Sequence, residues 1–179
     1  MNVLFVGAHP GDIEVHAGGT AALYSRLGHK LFFVVCTEGY QNGKEVAKRY
    51  QETEKAADKI GASLVWMGFD SGFLVDRPAS RMAFIESFRR AQPDVVICHA
   101  PYDSDPDHAI SGQIVDDCIH MGCIPLIKTN HKECIVFLTC IIWTQLRAGV
   151  LSMNFMWTSR EYFPLSVIWR LITLRKTLG

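Results

Sequence analysis

The stretch GAHPGDIEVHAGG (Gly7–Gly19) sets His9, Asp12, Glu14 and His16 within eight residues, framed by glycines. Imidazole nitrogens and carboxylate oxygens together suit a borderline divalent cation such as zinc. His9 and Asp12 stand three apart across a turn, near enough to face one ion. Two ligands from one loop hold a metal poorly, so a third must arrive from elsewhere. A second loaded stretch, HAPYDSDPDHAISGQ (His99–Gln113), supplies His108 as the natural candidate. Two imidazoles, one carboxylate and an open position for water would make a hydrolytic centre, not a closed structural one. A phosphate loop fails on spacing, because the glycines do not form GxGxxG and no P-loop lysine follows. From spacing alone, a glycine-rich turn with solvated polar residues stays open as the competing reading.

Positioning these residues requires particular elements. NVLFV (2–6), LFFVVC (31–36), SLVWM (63–67) and DVVIC (94–98) are short apolar runs without strict alternation, as expected of strands covered on both faces. Helical patterns over 20–27, 44–60 and 81–91 separate them, stopped by Gly28, Gly61 and Pro93 respectively. The alternation predicts an α/β fold: a Rossmann-like, mostly parallel sheet with helices on both faces and right-handed crossovers. In such sheets ligands gather beyond the carboxyl ends of the strands. Both loaded loops, after the first and fourth strands, are expected at that edge.

Composition narrows the function. At 179 residues, 49% apolar and 20% charged, the chain is expected to form one globular domain over 1–179. Eighteen basic and eighteen acidic residues cancel, which leaves no electrostatic footprint for nucleic acid and favours a small-molecule partner. The six cysteines form no CxxC pair, so reduced thiols and a cytoplasmic location are expected. No apolar run is long enough for a membrane span, and because the chain is expected to enter a strand at once, no N-terminal anchor is expected.

Three segments, AHPGDIEVHAGGT, RYQETEKAADKIGA and QPDVVICHAPYDSDPDH, resemble the LmbE/PIG-L family of zinc-dependent N-acetylglucosaminyl deacetylases. That family carries AHPDDxE near its start, an Arg-x-x-Glu helix and an HPDH motif after its fourth strand. The resemblance runs in order over about residues 2–115. It implies a Rossmann-like fold and hydrolysis of the acetyl amide of an N-acetylglucosamine conjugate, with zinc or another divalent metal as cofactor. It further implies that His9, Asp12 and His108 are the metal ligands, with Arg49 of the Arg49/Glu52 pair on the substrate side. Glu14 falls on the family acid after the metal aspartate. His16 is expected to be solvated, and His99 is expected to be a hydrogen-bonded structural histidine at the end of a strand.

Two positions depart from the family pattern. The general base, the first aspartate of AHPDD, is Gly11 here, and the opening histidine of HPDH is Asp105. Two explanations compete. In one, Asp105 returns a carboxylate to the metal from the opposite loop and is the catalytic proton carrier. In the other, the protein is a catalytically impaired metal- or sugar-binding relative. Beyond Cys118 the patterns weaken. Residues 148–166 resemble a late family segment only in scrambled form, and 118–179 reads as a diverged or truncated tail that could cover a homo-oligomer interface.

Overall fold

The computed structural model describes residues 1–40 and 43–134 in full, and 139–145 and 151–155 by their backbone. The elements run β1 (Asn2–Gly7), a π-helical turn (Ile13–Ala17), α1 (Gly18–Arg26), β2 (Lys30–Thr37), α2 (Lys44–Lys59), β3 (Ala62–Phe69), α3 (Pro78–Ala91), β4 (Val95–His99), α4 (Pro106–Met121), β5 (Thr139–Gln145) and β6 (Leu151–Phe155). They form one sheet in the order β3-β2-β1-β4-β5-β6. Strands β1 to β5 are parallel, and β6 closes the edge antiparallel to β5.

The apolar runs form buried strands because both sheet faces are covered. Val3 and Phe5 of β1 point to one face, packing with Leu31, Phe33 and Val35 of β2 against Ala21 and Tyr24 of α1 and Ala57 of α2. Leu4 and Val6 point to the other, against Phe84, Ile85 and Phe88 of α3 and Ile114, Val115 and Cys118 of α4. Strands β1 and β2 thus remove apolar surface from water on both sides, at about 25 cal/mol per Å2, whereas β3 is mostly half-buried. Cys36 and Cys98 are buried within this core.

The strand order makes β1 and β4 neighbours, with β2 and β3 on one side and β5 and β6 on the other. The chain therefore changes direction across the sheet between β1 and β4, and a crevice opens beyond their carboxyl ends. The loops after β1 and β4 flank that crevice. They are stitched to their neighbours: Thr37 at the end of β2 donates both its backbone N–H (2.8 Å) and its Oγ1 (2.8 Å) to the Ala8 carbonyl. Ser71 beyond β3 donates in turn to Thr37 Oγ1 at 2.7 Å.

The structure corrects the reading of 99–113 as a loop throughout. Helix α4 begins at Pro106, so the loop proper ends at Asp105, which is the N-cap. Its Oδ1 accepts the N–H groups of Asp107 (2.9 Å) and His108 (3.2 Å), and Pro106 occupies the first helical position, where no N–H is needed. The tail is more ordered near its start than the sequence suggests. Buried Arg89 of α3 donates to the carbonyls of Gly122 (2.9 Å), Ile124 (2.7 Å) and Ile127 (2.7 Å), holding the segment after α4 to the body. The segment beginning at Ala148 lies mostly outside the described residues. Among the described residues no helix is long and apolar enough to cross a membrane.

Helix α4 approaches β4 closely at Gly112, one turn beyond His108. A Cβ there would stand 2.5 Å from the His99 carbonyl oxygen and 2.9 Å from the Ala100 carbonyl carbon. These are backbone atoms with nowhere to move, so the missing side chain sets how near His108 comes to the sheet. Gly112→Ala is expected to cost about 3 kcal/mol or more through this overpacking. Urea unfolding of the variant measures the loss, and a change within about 0.5 kcal/mol would refute the close approach.

Candidate metal centre

His9 and Asp12 lie just beyond β1, on either side of the turn at Gly11, whose φ is +101°. His108 enters from the first turn of α4. The three side chains meet in the crevice and are largely buried, His9 and Asp12 being each 12% exposed. His9 Nδ1 is 3.2 Å from His108 Nε2, His9 Nδ1 is 3.5 Å from Asp12 Oδ2, and His108 Nε2 is 3.3 Å from Asp12 Oδ2. This is nearly an equilateral triangle. Atoms bound tetrahedrally to one zinc ion at about 2.0–2.1 Å stand about 3.3 Å from one another. The spacing thus matches one face of a zinc tetrahedron, and the donor set suits the ion.

The far nitrogens of both histidines agree with this orientation. His9 Nε2 is 3.0 Å from Asp107 Oδ2. Asp107 is itself buried and held by the N–H groups of Gly72 (2.6 Å) and Leu74 (3.3 Å), which follow β3. His108 Nδ1 is buried without a hydrogen bond, and Asp103 Oδ1 lies 3.4 Å away. A carboxylate behind each imidazole would fix its tautomer, leaving Nδ1 of His9 and Nε2 of His108 bare toward an ion. His99 completes the enclosure. Its ring stacks on His108 with centroids 3.9 Å apart and planes 17° apart. Its Nε2 lies 3.1 Å from both the Ala8 N–H and Asp12 Oδ2.

The charges are tightly linked. Burial opposes ionisation of Asp12, but the hydrogen bonds from His108, His9 and His99 outweigh it and hold the carboxyl far below the usual range. Burial likewise disfavours the imidazolium forms of His9 and His108, yet Asp12 raises both above 6.5. For His99, more deeply buried, desolvation prevails and the value falls.

The structure brings His9, Asp12 and His108 together, as the sequence predicts, shows His99 as the hydrogen-bonded histidine expected at the end of its strand, and adds Asp103 and Asp107, whose sequence signal is only their presence in the same loaded stretch. A carboxylate oxygen of Asp105 lies within 4.8 Å of a His9 nitrogen and the Asp107 carboxylate. Gly11 leaves open space: a Cβ there would meet nothing within 4 Å. Glu14 has one buried oxygen without a hydrogen bond, and burial raises its pKa, Asp12 adding to the effect. Arg49 lies on α2, 48% exposed, and its only ion pair among the described residues is with Glu52 at 3.4 Å. His16 is half-buried, and His131 pairs with Glu86 at 2.7 Å.

The pH dependence has a definite sign. Imidazolium forms of His9 and His108 stabilise the metal-free fold below 6.5, and that contribution is lost as pH rises through their raised folded values. Asp12, with its depressed value, contributes above 3.8, and this is lost as pH falls. A bound metal needs both imidazoles neutral, so its contribution grows with pH. The zinc-induced rise in Tm, followed by calorimetry, is expected to widen from about pH 5.5 to about pH 8. A rise that shrinks over this range would remove the two histidines from the ligand set.

A 1D-myo-inositol 2-acetamido-2-deoxy-alpha-D-glucopyranoside deacetylase of Corynebacterium diphtheriae is 32% identical, covering 58% of this chain and 47% of that protein. The chain spans about half the length of the curated relatives it matches. Among solved structures, the N,N'-diacetylchitobiose deacetylase of Pyrococcus horikoshii superposes with a TM-score of 0.71 at 23% identity, covering 78% of this chain and 59% of that one. GalB, the 4-carboxy-2-hydroxymuconate hydratase of Pseudomonas putida, superposes with a TM-score of 0.72 at 19% identity over 100% of this chain and 80% of its own. These two likenesses establish the Rossmann-like α/β fold. Residues 4–119, well over half the chain, match the family described as PIG-L, GlcNAc-PI de-N-acetylase, and the chain belongs to that family.

Proposed function

We propose that this protein is a metal-dependent amide hydrolase that removes the N-acetyl group from an N-acetylglucosamine conjugate. The observation that carries the reading is the triangle of His9 Nδ1, Asp12 Oδ2 and His108 Nε2, with edges of 3.2 to 3.5 Å, in the crevice of a chain belonging to a de-N-acetylase family. These three residues hold a divalent ion, zinc by preference of the donor set. Such an ion, when bound, supplies an acidified water and polarises the acetyl carbonyl. Asp107 and Asp103 keep the imidazoles turned inward, and α4, capped by Asp105, carries His108 to its place.

Proton handling falls to Asp105 in this proposal. One of its oxygens caps α4, and a carboxylate oxygen lies within 4.8 Å of His9, on the rim of the triangle. It stands on the opposite loop from the open space at Gly11, so the base has changed loops while serving the same crevice. Arg49 enters on the substrate side. Its exposed pair with Glu52 is cheap to break, and the guanidinium is then available to a hydroxyl-rich or anionic aglycone. The substrate is a small amino-sugar conjugate, and the cytoplasm and a homo-oligomer belong to the same proposal.

A second reading, a metal- or sugar-binding relative without turnover, is favoured by one observation: no side chain at position 11 reaches into the crevice. The two readings separate in an acetate-release assay on N-acetylglucosamine conjugates, with zinc and after chelation. Hydrolysis should require zinc, and His108→Ala should lose both bound metal and turnover. Asp105→Asn is the informative variant, because asparagine keeps the helix cap while removing the base. It is expected to lower kcat by about 10²–10⁴-fold with an unchanged Tm. Absence of wild-type hydrolysis, together with a large gain in Gly11→Asp, would favour the non-catalytic reading instead.

A further inference from the structure

Several exposed apolar residues stand on the loops beyond the carboxyl ends of the strands: Val15 after β1, Tyr40 after β2, Phe73 and Val75 after β3, Tyr102 after β4. Each of the first four strands is therefore followed by at least one exposed apolar group. Tyr40 differs from its neighbours in being anchored. Its ring lies 5.3 Å from the His9 imidazole, tilted by 32°, whereas Phe73 and Tyr102 have no ring contact among the described residues. Its edge rests on the loop after β3, where a Cβ at Gly72 would stand 3.3 Å from Tyr40 Cε1 and 3.8 Å from its hydroxyl oxygen. The φ of +79° at Gly72 and this close approach both call for glycine. The residue before Tyr40 is also held, since a Cβ at Gly39 would lie 3.3 Å from Pro10 Cδ. Despite these supports the side chain is 63% exposed. An aromatic ring secured against His9 and the Gly72 loop but still open to solvent is an arrangement that burial alone does not explain.

The surroundings indicate what would cover it. Burial, and after it the nearby charges of Asp105 and Asp107, raise the pKa of the phenol. Its hydroxyl makes no hydrogen bond to a described residue. An apolar face beside carboxylates and imidazoles matches a ligand with an apolar face and a hydroxylated edge, which is the construction of a pyranose. A purely aliphatic ligand would make no use of the polar groups beside the ring, and a purely ionic one would leave the ring uncovered.

We propose that Tyr40 is a positioning residue of the crevice, an anchored aromatic platform on which the C–H face of the amino-sugar ring packs beside His9. The inference rests on the deacetylase reading above and adds the element that orients the sugar. Because the ring face does the work, phenylalanine should replace tyrosine, whereas leucine, which keeps apolar bulk without a flat face, should not.

The test uses the full chain loaded with zinc. It pairs acetate release from an N-acetylglucosamine conjugate with calorimetric binding of N-acetylglucosamine itself. Tyr40→Ala and Tyr40→Leu are expected to raise KM and Kd together by roughly three- to tenfold, with kcat within about twofold. Tyr40→Phe should behave as the parent, and the exposed position should leave Tm unchanged in all three. Unchanged KM and Kd in Tyr40→Ala, with hydrolysis intact, would overturn the platform while the deacetylase reading stands. A loss of kcat in Tyr40→Phe would overturn it differently, by assigning the role to the hydroxyl. If the zinc-loaded parent neither hydrolyses nor binds the sugar, the platform and the deacetylase reading fall together.

Discussion

One carboxylate oxygen organises this molecule. Asp12 Oδ2 sits in a mostly buried crevice with nitrogens of His9, His99 and His108 within 3.1 to 3.5 Å. Taking a carboxylate out of water is costly, and a lone buried charge would neutralise itself by binding a proton. Three imidazoles from three places in the sequence hold it ionised instead. The fold has to deliver them: His9 from the turn after β1, His99 from the last position of β4, and His108 from the first turn of α4. The adjacency of β1 and β4, the glycine at 112 and the cap at Asp105 all serve that delivery. If α4 stood further from the sheet, the site would lose its third corner, and Asp12 would lose one of the partners that keep it charged.

The same economy explains the residues behind the triangle. Asp107 does two tasks with one carboxylate, receiving the amides of Gly72 and Leu74 and facing His9 Nε2. It thereby locks the β3–α3 loop to the crevice while setting the orientation of an imidazole. Asp103 bonds the N–H of Asp105 at 3.0 Å and faces His108 Nδ1, so the loop before α4 and the imidazole within it are ordered together. Asp105 is divided between holding the helix start and facing the crevice. The cap itself strengthens the local fold, since aspartate is among the best helix caps.

Much of the fold was legible from local patterns. The four apolar runs form β1 to β4 within one or two residues, β1, β2 and β4 because a strand buried on both faces must be apolar nearly throughout, and β3 although it is mostly half-buried. Gly28 and Gly61 ended their helices as expected, each with positive φ. The start of α4 is hard to see in the sequence because its first turn carries the densest chemistry in the chain, so that DSDPDH offers ligands and a helix cap in the same residues. Asp followed by Pro was the available signal. Arg89 illustrates a different limit. On an amphipathic helix an arginine reads as solvated, and only the return of the chain after α4 gives it three carbonyls to bind.

The sequence by itself determined the residue types that can hold a borderline cation, the two stretches that contain them, and the alternating pattern that sends both to one edge of a parallel sheet. These follow from composition and period, which are local properties of a chain. Only the tertiary structure decided which of the many acids and histidines in those stretches face one another. Asp12, Asp103, Asp105 and Asp107 are alike in sequence and become a ligand candidate, two orienting partners and a helix cap at the rim. The distinction lies in distances of 3 to 4 Å between segments nearly a hundred residues apart, and those are set by strand order and the packing of α4 on the sheet. Charge, burial and hydrogen bonding act over that range, so the role of each carboxylate is a property of the assembled crevice.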